Sequence, residues 1–148
     1  MNNPKYQILN TKYSIFCTGS SGLVASDFKK LCLDKGISFF GLDLHGEEES
    51  VDITKKEELL NQVETRLIAS LQKNQQAILF HFAAITLTGK NLTIDQIELS
   101  KKINIEGTAN ILQVCQKLNI PLVAISTDFV FAGGKKETAY LPTDEICP

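Results

Sequence analysis

Residues Tyr13–Ala25 read YSIFCTGSSGLVA, and they predict a strand that runs into a glycine turn and then a helix. The apolar run Ile15–Cys17 is typical of the strand, and Gly19 and Gly22 mark the turn. The first N–H groups of a helix have no carbonyl partner, and together with the helix dipole they bind phosphate groups. The small Ala25 permits close packing of helix on strand. The stretch therefore predicts a pyrophosphate site, although an ordinary glycine turn has the same pattern.

Strand-like apolar runs alternate with helical patterns along the chain. The runs are Tyr13–Cys17, Ile37–Leu42, Ala77–Phe82 and Pro121–Ile125, with a short strand-like piece at Val51–Ile53. Helices are predicted over Gly22–Lys35, behind Thr54, and roughly over Ile94–Leu118. Residues 1–12 are expected to form a polar arm and residues 13–148 a domain. This alternation predicts an α/β fold with a doubly wound parallel sheet, for which we expect the strand order 3-2-1-4.

Two local patterns describe the first two helices. In the first helix, Val24, Phe28, Leu31 and Cys32 repeat at helical spacing and are expected to face the core, and Gly36 is expected to end the helix. Before the second helix, Thr54 is followed three residues later by a glutamate, which predicts a capping box.

The composition is that of an ordinary globular chain. The 148 residues are 43% apolar and 22% charged, with a net charge of −2. One domain of this length buries a sizeable core. The absence of a basic block argues against nucleic acid or an anionic membrane as a partner, and no apolar run has the length of a membrane span. The first residues lack a signal-peptide pattern, so we expect the cytoplasm.

Cysteine and histidine spacing argues against a metal site or a disulfide. The cysteines are widely separated and form no Cys-x-x-Cys pair: Cys17, Cys32, Cys115 and Cys147. They are expected to be free thiols. His45 and His81 stand alone, without a second ligand at helical spacing. We expect His81 to pack in or near the sheet rather than to act as a base.

Asp43 ends the second predicted strand, 21 residues after Gly22. A dinucleotide-binding unit places a carboxylate there to accept both hydroxyls of the adenosine ribose. Because a carboxylate repels a 2′-phosphate, NAD is favoured over NADP. A solvated loop aspartate is the alternative interpretation.

Further residues follow the predicted strands and could face the same ligand. Asp52 could accept the amino group of an adenine and Ile53 could cover its face, or Asp52 could be a turn residue before the helix. The small Ala83 and Ala84 suggest a place where backbone approaches a ligand, or simply a strand end. Thr127 offers a hydroxyl that could polarise a substrate carbonyl, or it could cap a turn.

Asn104 and Gly107 are unusual within the third predicted helix. An unpaired buried amide costs about 1–3 kcal/mol, so Asn104 either fixes neighbouring backbone or orders groups and water at the site. Glycine in a helix interior costs about 1 kcal/mol relative to alanine. We expect close packing of the helix to explain Gly107.

Several of these motifs together resemble one family. They are TGSSGLVA, Asp43, Asp52-Ile53, HFAA at 81–84, NIEGTANIL at 104–112 and STDFVF at 126–131. In this order they resemble the extended short-chain dehydrogenase/reductase family of nucleotide-sugar epimerases, dehydratases and reductases. STDFVF is most similar to the dTDP-4-dehydrorhamnose reductase branch, whereas HFAA and NIEGTANIL are equally similar to the epimerases. The resemblance covers residues 13–148.

The resemblance implies a Rossmann-type NAD(P)-binding domain and a role for each matched residue. Gly19, Ser21, Gly22 and Leu23 would hold the pyrophosphate, Asp43 the ribose, and Asp52 and Ile53 the adenine. Ala83 and Ala84 would line the nicotinamide-ribose side, and the strand-end residues Phe82 and Ser126 are also expected to bind the cofactor. Thr127 would bind the substrate oxygen and Asn104 would be the family's helix asparagine, so these two are the catalytic candidates.

The family's Tyr-x-x-x-Lys motif is not found in this sequence. Tyr140 has Asp144 at the lysine position, and a carboxylate there would oppose ionisation of the phenol. We therefore expect an incomplete domain that ends before the later strands and does not turn over alone. In the intact parent, hydride would pass between nicotinamide and a carbon of a nucleotide sugar.

Two expectations about partners accompany this interpretation. We expect the chain to be the dinucleotide-binding part of a nucleotide-sugar oxidoreductase or epimerase, or alternatively a non-catalytic regulatory or scaffold subunit that binds NAD(P). The fourth strand would be an exposed edge, which a second copy or a partner chain could cover.

Overall fold

The computed structural model describes residues 12–45, 50–87, 91–127, 130–131 and 139–146. The strands are β1 (Tyr13–Thr18), β2 (Ser38–Leu42), β3 (Gln76–His81) and β4 (Leu122–Ala124). The helices are α1 (Leu23–Asp34), α2 (Lys56–Gln72), α3 (Ile94–Lys101) and α4 (Thr108–Leu118), with a π-helical stretch at Lys102–Gly107 that joins α3 to α4. Apart from Lys12, the predicted N-terminal arm lies outside the described residues.

All four strands are parallel, and their order in the sheet is β2-β1-β3-β4. The α/β class and the Rossmann-type parallel sheet are confirmed. The expected order 3-2-1-4 needs correction, because β3 pairs with β1 rather than with β2. Directly after β2, Asp43 forms an isolated parallel bridge with Ser50, the residue that follows the acidic loop.

The sheet has an apolar core on each face. One core lies beneath α1 and contains Ile15, Cys17, Ala25, Cys32 and Phe39. The other lies beneath α2 and α4, and its fully buried members include Phe16, Leu59, Val63, Leu79 and Ile111. Because all four strands are parallel, their carboxyl ends lie at the same edge of the sheet.

The prediction of which residues of α1 face the core is only partly confirmed. Cys32 is buried and Phe28 is half-buried, but Val24 and Leu31 are 64% and 54% exposed. The buried row begins instead at Ala25. Consecutive helical residues are about 100° apart, so the small Ala25 facing the sheet turns Val24 towards solvent.

The predicted start of α2 differs from the structure, whereas the predicted end of α1 agrees with it. The capping box at Thr54 is wrong: the N-cap of α2 is Lys55, which makes no side-chain capping bond. A capping box forms instead between Thr93 and Gln96 at the start of α3. Gly36 follows α1 with a φ of 69°, as expected for a residue that ends a helix.

Three of the four cysteines lie within the described residues. Cys17, Cys32 and Cys115 are free and buried, whereas Cys147 lies outside the described residues. Among the described side chains, no group of three His, Cys, Asp or Glu could hold a metal ion. The helices within these ranges are too short or too polar to cross a membrane.

Candidate functional site

A cleft of about 320 Å³ lies at the carboxyl ends of β1, β2 and β3. Its lining includes most of the predicted cofactor residues, which come from four separate segments. They are Gly19, Ser21, Gly22, Asp43, Asp52, Ile53, Phe82, Ala83 and Ala84. The fold therefore brings these segments together at the sheet edge where open α/β sheets bind ligands.

The glycine turn follows β1 directly and leads into α1. The Gly19 N–H donates to the Leu42 carbonyl at 2.9 Å, and the Gly22 N–H donates to the Gly19 carbonyl at 3.0 Å. Gly19 has a φ of 67°, and a Cβ there would lie 2.6 Å from the backbone nitrogen of Ala83. Only glycine fits this position without moving backbone.

Among the described residues, no side chain caps the start of α1. Its N-cap, Gly22, makes no side-chain capping bond, and the first turn has no acidic residue. The first N–H groups of the helix are thus suited to an anion. Leu23, the first residue of α1, is 84% exposed and does not line the cleft.

Asp43 joins the glycine turn to the loop after β2. Its Oδ2 accepts from the Ser21 N–H at 3.0 Å and from the Ser21 hydroxyl at 2.8 Å, and its Oδ1 accepts from the His45 N–H at 3.0 Å. Burial acts to raise the pKa of Asp43, but the hydrogen bonds from His45 and Ser21 outweigh it, so the pKa lies below the usual value. The group is therefore a carboxylate at neutral pH.

Asp52 both lines the cleft and holds a turn. Its Oδ1 accepts from the Thr54 N–H at 2.9 Å and from the Thr54 hydroxyl at 2.8 Å. Burial acts to raise the pKa of Asp52, whereas these bonds and the nearby Lys55 and Lys102 lower it below its usual value. Asp52 is therefore a turn residue before α2, in agreement with one of the two interpretations, and it also lines the cleft.

Ile53 is held by the third predicted helix. A Cβ on Gly107 would lie 2.6 Å from Cδ1 of Ile53, so a larger residue at this position would have to displace the Ile53 side chain. Asn110 donates from Nδ2 to the Ile53 carbonyl at 3.0 Å. The close packing expected at Gly107 is present, and its partner is this loop.

The end of β3 is fixed by a buried histidine. His81 contacts the Thr18 hydroxyl through Nδ1 at 2.6 Å and the Thr108 hydroxyl through Nε2 at 2.9 Å. Burial lowers the pKa of His81 below its usual value, so the ring is neutral at pH 7. The Ala83 N–H donates to the same Thr18 hydroxyl at 3.3 Å. His81 packs in the sheet, as expected.

Asn104 fixes backbone rather than lining the cleft. Its Nδ2 donates to the Ile85 carbonyl at 2.9 Å, and its Oδ1 accepts from the Ile85 N–H at 2.8 Å. The same Nδ2 donates to the Ser100 hydroxyl at 3.2 Å. Of the two alternatives for Asn104, the structure shows the fixing of backbone, and Ile85 itself lines the cleft.

Ser126 and Thr127 follow β4 and are exposed. The pairing of β3 with β4 ends at His81 and Ala124, so both residues lie beyond the same edge of the sheet as the cleft. Neither belongs to the residues that line it. Farther along, Tyr140 stacks on Phe131 with ring centroids 4.5 Å apart.

Sequence reasoning missed part of the cleft lining. The additional residues are mainly apolar: Leu42, Leu44, His45, Val51, Ile85 and Ile103. Leu44 and His45 directly follow Asp43, so their position was a usable signal. Ile103 had no such signal, because it reaches the cleft from the π-helical stretch.

Comparisons with known proteins agree with this architecture. A model of the RmlD substrate binding domain family matches residues 13–148. A curated human relative, short-chain dehydrogenase/reductase family 42E member 1, is 26% identical over 144 residues, which cover 88% of this chain and 35% of the relative.

Two solved structures show the same fold. A hypothetical dTDP-4-dehydrorhamnose reductase from Sulfolobus tokodaii has a TM-score of 0.69 and 23% identity, over 91% of this chain and 46% of that one. A UDP-glucose 4-epimerase from Thermus thermophilus, in complex with NAD, has a TM-score of 0.63 and 20% identity, over 88% of this chain and 42% of that one. The chain thus spans about a third of the curated relative and less than half of these two structures.

Proposed function

This chain belongs to the RmlD substrate binding domain family, and on that premise we propose that it is the dinucleotide-binding part of a nucleotide-sugar oxidoreductase or epimerase. One observation carries the proposal: the Gly19–Gly22 turn, the uncapped start of α1 and the Asp43 carboxylate meet in a single cleft. Helix N–H groups suit a pyrophosphate, and a carboxylate suits a ribose diol. The proposed compartment is the cytoplasm.

The proposed cofactor is NAD rather than NADP. Asp43 is ionised and lies in the cleft beside the glycine turn. A 2′-phosphate at this place would meet a carboxylate of like charge and would lose a hydroxyl donor. Asp52 and Ile53 would flank the adenine, and Phe82, Ala83, Ala84 and Ser126 the nicotinamide side.

The chemistry that the cofactor supplies when bound is hydride transfer between nicotinamide and a sugar carbon. In the intact parent, Thr127 would polarise the substrate oxygen, and Asn104 would fix the Ile85 backbone beside the cleft. The sequence has no Tyr-x-x-x-Lys to exchange a proton, so we propose that these 148 residues alone do not turn over. A steady-state rate on a nucleotide sugar from the pure chain would contradict this.

Titration calorimetry with NAD and with NADP tests the cofactor assignment. We expect saturable binding of NAD and weaker binding of NADP, because only NAD presents a free diol to Asp43. A preference for NADP would overturn the role of Asp43, and no binding of either dinucleotide would overturn the proposed function. The variant Gly36→Ala, at a turn remote from the cleft, provides a binding control.

A second candidate function is a non-catalytic regulatory or scaffold subunit. The observation that favours it is the exposure of apolar side chains beside β4, the outermost strand of the described sheet: Val123 is 40% exposed and Ile125 68%. A second copy or a partner chain could cover this edge. Stoichiometric co-purification of another protein, together with NAD binding and no turnover, would favour this candidate.

A further inference from the structure

Within the described residues, the Asp43 carboxylate has little acceptor capacity left for a ligand. A carboxylate offers about four acceptor positions, two on each oxygen. The Ser21 N–H and hydroxyl occupy Oδ2, and the His45 N–H occupies one position on Oδ1. About one position, on Oδ1, stays open. A ribose diol brings two O–H donors, so Asp43 cannot accept both without breaking a bond that the protein already makes.

The Ser21 hydroxyl offers the missing acceptor. A serine hydroxyl has one donor and two acceptor positions, and the Ser21 donor points to Asp43. No donor among the described residues uses its lone pairs, the residue is exposed, and it lines the cleft beside the carboxylate. Donation to an anion also makes the hydroxyl oxygen a better acceptor, since hydrogen bonds in a chain polarise one another.

We propose that Ser21 and Asp43 share the adenosine ribose of the dinucleotide, with one ribose hydroxyl donating to Asp43 Oδ1 and the other to Ser21 Oγ. This assignment rests on the proposed function and deepens it. It differs from the expectation that Asp43 alone accepts both hydroxyls. Ser21 is thereby a second residue, beside Asp43, that binds the adenosine ribose.

The fixed backbone of the turn supports this role for Ser21. The bonds from Gly19 to Leu42 and from Gly22 to Gly19 hold the turn on both sides of the serine. The Ser21 N–H would still donate to Asp43 if the hydroxyl were removed. The hydroxyl is therefore placed before the ligand arrives, and its loss leaves the turn tethered.

The test is a calorimetric cycle that combines protein variants with ligand analogues. The ligands are NAD and its two analogues that lack either the 2′- or the 3′-hydroxyl of the adenosine ribose. The proteins are the unaltered chain, Ser21→Ala, Ser21→Thr, which restores the hydroxyl, and the neighbouring Ser20→Ala as a matched control.

We expect Ser21→Ala to weaken NAD binding about threefold to tenfold, the loss of one hydrogen bond. The loss should vanish with the analogue that lacks the hydroxyl bound by Ser21, because deletion of two partners of one bond is not additive. Ser21→Thr should recover most of the affinity, and Ser20→Ala should leave it unchanged.

Two results would overturn the assignment while leaving the dinucleotide site in place. One is normal NAD affinity in Ser21→Ala. The other is an equal loss for NAD and for both analogues, which would show that Ser21 only positions Asp43. If the unaltered chain does not bind NAD at all, the proposed function itself fails and this assignment fails with it.

Discussion

Gly19 and Gly36 both have left-handed backbone conformations, but their surroundings differ. Their φ angles are 67° and 69°. A Cβ on Gly19 would lie within 3 Å of the backbone of Phe82 and Ala83, whereas a Cβ on Gly36 would meet nothing within 4 Å. The left-handed conformation alone costs a non-glycine residue roughly 1–2 kcal/mol. Gly19 should therefore be the more demanding position.

We predict that Gly19→Ala lowers the free energy of unfolding by roughly 2–4 kcal/mol, since backbone strain adds to a clash that no flexible side chain can relieve. Gly36→Ala, the matched control, should lower it by only about 1–2 kcal/mol. Urea unfolding followed by circular dichroism measures both. Equal losses in the two variants would show that the approach of Gly19 to Ala83 is not a constraint.

Asn104 connects the π-helical stretch to the loop after β3 through two hydrogen bonds with the Ile85 backbone. We predict that Asn104→Ala speeds hydrogen exchange of the Ile85 amide at least about tenfold, because that N–H loses its acceptor inside a half-buried loop. The free energy of unfolding should fall by roughly 1–3 kcal/mol, the cost of the unpaired backbone groups.

Asn110→Ala separates this effect from a general weakening of the helix. Asn110 bonds to the loop at Ile53 and not to Ile85. Its removal should leave the exchange of the Ile85 amide unchanged after correction for global stability. If both variants speed that exchange equally, the bond from Asn104 does not hold the loop.

The elements themselves could be predicted because their apolar spacing is local. The strands and the three helical regions follow from patterns within single segments. The packing of Gly107 on Ile53 could not be predicted, since these residues lie 54 positions apart. The exposure of the Val24 side chain likewise could not be predicted, because it depends on which side of α1 packs against the sheet.

The part of the candidate site that consists of glycines and of residues at strand ends could be predicted from the sequence. Asp43 and the Gly19–Gly22 turn are marked by their places after strands. The hydrogen bonds between Ser21 and Asp43 join residues that are 22 positions apart in the sequence. The two hydrogen bonds between the Asn104 side chain and the Ile85 backbone join residues that are 19 positions apart. Side-chain pairings of this kind need the folded geometry, because many polar residues in the sequence could have served equally well.

Three titratable groups in the described part of the molecule make the stability of the fold depend on pH in the same direction. His81, Asp43 and Asp52 all have pKa values below their usual ones in the folded chain. For each group the unfolded chain binds a proton more readily. Stability must therefore fall as the pH is lowered, beginning near the ordinary value of each group.

His81 should lower the stability at a higher pH than the two aspartates do, because the ordinary pKa of histidine is higher than that of aspartate. Its contribution to stability is fully present above about pH 6.5, the ordinary histidine pKa, and is lost as the pH falls from there towards the lower folded value. We predict that the melting temperature of the unaltered chain falls between pH 7 and pH 5, before the aspartates begin to titrate. His81→Gln should remove that slope, whatever its effect on stability at pH 7, while His45→Gln should retain it. If the melting temperature is flat over this range, or if the slope persists without His81, the neutral ring held between the Thr18 and Thr108 hydroxyls does not set the acid response of the fold.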